Sequence, residues 1–179
     1  VDLQDPKAPR EVSRWWLPGT RVGDESPAPA RVKRFDNGFR LHTLLVPPER
    51  PDRAYAGWID GGFIVFDISD KTKPREISRI SWQSLNEGFL HTALPILSRG
   101  LLVASQESTK DECADWPQRI TVVDIKDETH PYPLSTLPRP ANFDTLCKQG
   151  GRFGAHNINL NNMPAVSRML QNTVVTAQF

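Results

Sequence analysis

A single pattern recurs three times in this chain without a gap, and no other feature limits the fold as tightly. Val1-Asp2-Leu3-Gln4-Asp5-Pro6-Lys7-Ala8-Pro9-Arg10-Glu11-Val12 aligns with Phe66-Asp67-Ile68-Ser69-Asp70-Lys71-Thr72-Lys73-Pro74-Arg75-Glu76-Ile77, and again with Val123-Asp124-Ile125-Lys126-Asp127-Glu128-Thr129-His130-Pro131-Tyr132-Pro133-Leu134. In each copy an apolar run ends at an aspartate, a second aspartate opens a turn, and a proline fixes the chain before the next extended run. The pattern predicts a strand, a tight turn and an outer strand, with Asp2, Asp67 and Asp124 hydrogen-bonding within their turns.

Further strands precede the later copies. Ala54–Trp58 and Gly62–Val65 lead into the second, Leu101–Ser105 and Arg119–Val122 into the third, and Thr173–Phe179 reads as the second strand of a further unit. The 16 prolines and 11 glycines are spread along the chain, which suits many short strands. Helical character is confined to Met163–Gln171, and Ser26–Ala30 reads as an extended surface connection. The equivalent aspartates lie farther apart than the about 40–45 residues of an ordinary four-stranded blade, which predicts loop insertions.

The units resemble the LVIVD repeat, in which an apolar strand runs into an aspartate, as in Thr121-Val122-Val123-Asp124-Ile125 and Ile64-Val65-Phe66-Asp67-Ile68. The resemblance extends over nearly the whole chain. It implies an all-β fold, a closed β-propeller commonly of seven blades, and says little about activity. The expected organisation is one partial propeller domain, residues 1–179, with units at approximately 1–37, 38–82, 88–140 and 151–179. These make about three four-stranded antiparallel blades plus the edge of a fourth. Three blades cannot close a ring, so the remaining blades are expected to be missing or supplied by another chain, with a fragment favoured.

Twenty-two basic against twenty-one acidic residues leave a net charge of +1, which excludes the basic footprint of a nucleic-acid binder. No transmembrane segment is expected, because no apolar stretch approaches the length of a membrane span. Any targeting signal is expected to lie upstream of Val1.

Three of the four histidines recur at one point of the repeat: His42, His91 and His156 each follow a glycine-containing approach and begin the first strand of a unit. The first strand of a propeller blade is innermost. The three imidazoles are therefore expected to converge near the axis as ligands of a transition metal, Fe, Cu, Mn or Zn. A competing explanation has these positions merely hydrogen-bonding between blades. Glu107 could orient an imidazole or act as an acid or base, or be an ordinary loop carboxylate. Arg152 could hold an anionic small-molecule substrate, or be a solvated surface residue. His130 is expected in solvent, and the five tryptophans between blades. Gly150–Gly154 lacks the ending of a phosphate loop and reads as a turn, and no nucleophile elbow is present.

The two cysteines, Cys113 and Cys147, are placed by the antiparallel strand order in loops on the same face as the histidines. A disulfide between them would stabilise by about 3–4 kcal/mol and indicate a periplasmic or secreted protein. The alternative is a pair of unrelated thiols. Two functions follow from these residues: a metal-binding propeller with oxidoreductase chemistry within its reach, or a non-catalytic propeller that binds a protein or carbohydrate through its inserted loops.

Overall fold

A computed structural model describes residues 1–31, 36–81, 88–115, 118–160 and 174–178. Among the described residues the fold is all-β, with one short α-helix and two single-turn 3-10 helices. Strands β1 (Thr43–Leu45), β2 (Arg53–Gly57), β3 (Phe63–Asp67) and β4 (Arg75–Ile80) form one antiparallel sheet in sequence order. A second sheet repeats the arrangement with β5 (Phe89–Ile96), β6 (Leu101–Glu107), β7 (Ile120–Asp124) and β8 (Tyr132–Thr136). Helix α1 (Phe143–Cys147) follows, and β9 (Ala155–Leu160) then pairs with β10 (Val174–Gln178).

The sequence repeat is reproduced in the backbone. Asp67 and Asp124 end β3 and β7, and their Oδ1 atoms accept the backbone N–H of Ser69 and Lys126. In the turns that follow, Asp70 and Asp127 each accept the N–H and hydroxyl of a threonine two residues on, Thr72 and Thr129. The register shift is shared as well: it falls between Val65 and Phe66 in one sheet and between the equivalent Val122 and Val123 in the other. One turn and one bulge therefore set the outer strand of both sheets.

Burial follows strand order. The middle strands β2, β3 and β6 are buried along nearly their whole length, whereas all of β8 is exposed. Pro133, which has no N–H for a further neighbour, sits on this edge strand, where none is needed. Alternate residues of the middle strands pack on different neighbours. Tyr55, Phe63 and Val65 meet Leu90, Leu102, Ala104 and Val123 of the second sheet. Ala54, Ala56, Ile64 and Phe66 pack instead under Trp15 and Leu17 of the N-terminal segment. The second sheet's other face carries Val103 and Ile120 against Ala155 and Ile158 of β9. The sheets thus stack face to face, with β1, β5 and β9 lying along one another's flank.

The first copy of the repeat closes an isolated bridge, Asp2 to Arg10, and the described residues form two four-stranded sheets. The turn chemistry survives, since Asp2 and Asp5 accept the N–H of Gln4 and Lys7, but Val1 and Leu3 stay exposed. Trp15 packs edge-on to Trp58 and Phe66 as expected of an interlayer aromatic, whereas Trp16 lies exposed with the Arg21 guanidinium over its ring. Trp82, Trp116 and the segment Met163–Gln171 lie outside the described residues. Helix α1 was not foreseen: its five residues lie in the long connection between β8 and β9.

Candidate metal centre

The three repeat histidines come together. His42 immediately precedes β1 and extends its pairing, donating its N–H to the Gly57 carbonyl at 2.8 Å. His91 is the third residue of β5, and His156 the second of β9. The rings of His42 and His91 lie 4.2 Å apart between centroids, and those of His91 and His156 lie 4.4 Å apart. Equivalent positions on flanking inner strands account for this convergence.

His91 has an additional device. Leu90 pairs with Gln106 and Thr92 with Ser105, so His91 is the extra residue of a β-bulge. A bulge re-aims the side chain of the residue it leaves unpaired. Here the imidazole enters the cluster at only 5% exposure, with Nδ1 2.6 Å from the Thr92 hydroxyl. Burial, and then the neighbouring imidazoles of His42 and His156, push its pKa down to about 4. His91 is therefore neutral at physiological pH, the protonation state in which imidazole binds metals.

Glu107 is not a loop residue. It ends β6 and is 8% exposed, with its carboxylate among the rings. Its Oε2 lies 4.0 Å from His91 Nε2, and its Oε1 lies 3.7 Å from His156 Nε2 and 3.3 Å from Arg152 Nη1. Arg152 is thus an ion-pair partner of Glu107, with its side chain 44% exposed. Among the described residues, His42, His91 and Glu107 each offer one ligand atom, and these atoms all lie within 4.8 Å of one another. His130 is remote in role as expected, exposed in its turn and bonded to Asp127.

Hydroxyl groups also tie the sheets together at this level. Thr43 Oγ1 donates to the His91 carbonyl and Ser105 Oγ donates to the His156 carbonyl. The competing explanation from sequence thus has its inter-sheet hydrogen bonds, made by neighbouring hydroxyls to histidine main chain. The threonine that follows His42 was part of that explanation, whereas Ser105 was not foreseen.

Cys113 and Cys147 lie at disulfide distance, with Cα atoms 5.4 Å apart. They join the loop after β6 to α1, on the same face as the cluster. Glu112 N–H also donates to the Gly151 carbonyl, one residue before Arg152. The β6–β7 loop is further organised by buried Asp115, which accepts from the Ser108 hydroxyl and from the N–H and hydroxyl of Thr109. Gly150 and Gly151 adopt positive φ in the bend that precedes β9, in accord with a turn.

Four-stranded antiparallel sheets stacked face to face, with equivalent inner strands bearing a shared histidine cluster, define a repeat protein with propeller-like sheets. Residues 52–81, which span β2 to β4 and contain the second copy of the turn pattern, match the model of the LVIVD repeat. The chain therefore carries an LVIVD repeat. No curated protein and no solved structure matches it.

Proposed function

We propose that the chain is part of a metal-binding β-propeller whose axial centre is built from His42, His91 and His156 with Glu107 beside them. The observation that carries this reading is the convergence of three imidazoles from equivalent strands of successive units, with ring centroids 4.2 and 4.4 Å apart, on the Glu107 carboxylate at the end of β6. A transition metal, Fe, Cu, Mn or Zn, suits these donors, because imidazole and carboxylate oxygen are ligands that all four accept. The buried His91, held neutral by burial, and the nearby Glu107 carboxylate are the kind of paired donors that a cation would join.

In this reading the units are consecutive blades of one propeller domain, and further blades close the ring, commonly of seven. A bound ion with open positions could support oxidoreductase chemistry on a small molecule. The cysteine pair favours an oxidising compartment, periplasmic or extracellular. No helix among the described residues is long and apolar enough to cross a membrane.

The test is elemental analysis of protein purified without a metal-affinity tag, followed by chelation and calorimetric titration. About one equivalent of a transition metal is expected. Protein that neither carries nor binds such a metal would leave the second reading, a non-catalytic propeller that engages a protein or carbohydrate through its inserted loops. The disulfide-joined β6–β7 loop and α1 are the surface that reading would use.

A further inference from the structure

The two oxygens of Glu107 face different partners, and this division assigns roles within the cluster. Oε2 is turned to His91, and His42, His91 and Glu107 together present three mutually close donor atoms. Oε1 is turned to His156 and Arg152. We infer that the ion is held by two histidines and one carboxylate, His42, His91 and Glu107 Oε2, and that His156 and Arg152 are positioning residues that hold the carboxylate through Oε1. The inference rests on the metal-binding reading and sharpens it, because sequence position alone makes the three histidines equivalent.

The geometry and the chemistry agree. Donors about 2.0–2.2 Å from an ion at right or tetrahedral angles are spaced by about 3–3.5 Å. The 4.0 Å between His91 Nε2 and Glu107 Oε2 needs only a small closure to reach that spacing. Thr92 at His91 Nδ1 and Phe89 edge-on to His42 fix the ring planes from behind. A carboxylate that ligates through one oxygen is commonly hydrogen-bonded through the other, and such outer partners typically change affinity by about 10–100-fold. Arg152 suits this role, since its guanidinium donates to Oε1 at 3.3 Å and carries the charge opposite to that of a carboxylate.

Two histidines and one carboxylate occupy one face of an ion and leave its other positions open, the donor set of Fe(II) oxygen-using centres. The class of ligand this site would take is therefore a small oxygen donor, dioxygen or a compact carboxylate or hydroxyl compound, entering opposite the three protein ligands. The first unit underlines the point. Ile59 stands two residues after Gly57, as Glu107 stands two residues after Ser105, and both Gly57 and Ser105 pair with the first residue of the following strand. The carboxylate is thus an addition to one unit and no part of the repeated frame.

The deciding experiment counts ligands on the metal-loaded protein. The chelated protein is reloaded with Mn(II) or Cu(II), and pulsed electron paramagnetic resonance reads how many imidazole nitrogens couple to the ion. Two are expected in the wild type and in His156→Gln. Glu107→Gln should weaken binding by at least about 100-fold, and Arg152→Met and His156→Gln by about 10–100-fold with the coordination retained. Three coupled imidazoles in the wild type, or a Glu107→Gln protein that binds within about threefold of it, would overturn this assignment and leave the histidine centre standing. Failure of the wild type to bind any of these ions would remove both.

Discussion

Thr43 donates its hydroxyl to the main-chain carbonyl of His91 at 2.6 Å, so the strand that follows one histidine is bonded to the backbone of the next. Ser105 repeats the relationship to the His156 carbonyl at 2.9 Å, from β6 instead of the inner strand. These hydroxyls fix the relative height of adjacent sheets, and the height decides whether three imidazoles on three strands meet. Structural and chemical duties are divided between main chain and side chain at the same residue.

Thr43→Val preserves the shape of the side chain and removes only the donor. The expected cost is about 1 kcal/mol of stability, read as a lower denaturant midpoint at unchanged slope. Metal affinity should fall by more than that energy alone implies, because His42 and His91 lose their shared height. An affinity equal to wild type would show that the imidazoles align without this bond.

Opening Cys113–Cys147 by the double substitution to serine removes a cross-link between residues 34 apart in sequence. The chain-entropy model gives a loss of about 3–4 kcal/mol. Because the linked segments lead from Glu107 on one side and to Arg152 and His156 on the other, the double variant should also bind metal more weakly. Unchanged thermal stability under reducing and oxidising conditions would show that the pair contributes no constraint.

Much of this was legible in the sequence, for a definite reason. Asp67 and Asp124, with their turn partners and prolines, are short-range signals that act within a few residues, and they placed β3, β4, β7 and β8 correctly. The histidines were legible because a repeat carries equal positions to equal places in space. What was not legible depends on contacts across the stack. Glu107 was already a candidate partner of an imidazole, but its ion pair with Arg152, which lies far along the chain, is such a contact. The same holds for Glu128, which lies inside a repeat turn but reaches back to Arg53 and Tyr55 of the first sheet. The N-terminal copy shows the converse: its turn residues bond as expected, yet among the described residues it forms only the isolated bridge of Asp2 with Arg10.

The Glu128 contact yields its own expectation. Its carboxylate accepts from Arg53 Nε at 2.9 Å and from the Tyr55 hydroxyl, with its side chain 15% exposed. Burial first, and then the Glu128 carboxylate, push the tyrosine pKa above its ordinary value, so the phenol stays a donor through the working pH range. Glu128→Ala leaves a half-buried guanidinium and a buried phenol without this acceptor, and should cost about 2–4 kcal/mol. Tyr55→Phe should cost about 1 kcal/mol. The two values, taken by chemical denaturation, should fall short of additivity in the double variant, since both act on one carboxylate.

His91 sets a pH dependence for the metal-free protein. Its folded pKa of about 4 lies below the ordinary value of about 6.5, so the unfolded chain takes up a proton between those limits that the folded chain refuses. Stability from this group is complete above pH 6.5 and is lost as pH falls toward 4, by about 3 kcal/mol in all. Denaturation midpoints in the presence of chelator should therefore decline through that window in the wild type and decline less in His91→Gln. Parallel curves for the two proteins would contradict the buried, neutral placement of His91.

Gly57 marks a close approach of the first sheet to the second. A methyl group built there would stand 2.5 Å from the His91 carbonyl oxygen and 2.9 Å from Thr43 Oγ1. The first of these is main chain in a buried strand and cannot swing aside, so Gly57→Ala must part the sheets where Thr43 joins them. Such overpacking costs about 1–3 kcal/mol. Gly57 also accepts the N–H of His42, so the same displacement carries His42 away from His91 and Glu107. Metal affinity should drop by at least about tenfold, with Glu107→Gln adding less in the Gly57→Ala background than in the wild type, because the donor set is already dispersed. Full affinity in Gly57→Ala, measured by calorimetry on chelated and reloaded protein, would mean that the cluster does not depend on the spacing of the two sheets.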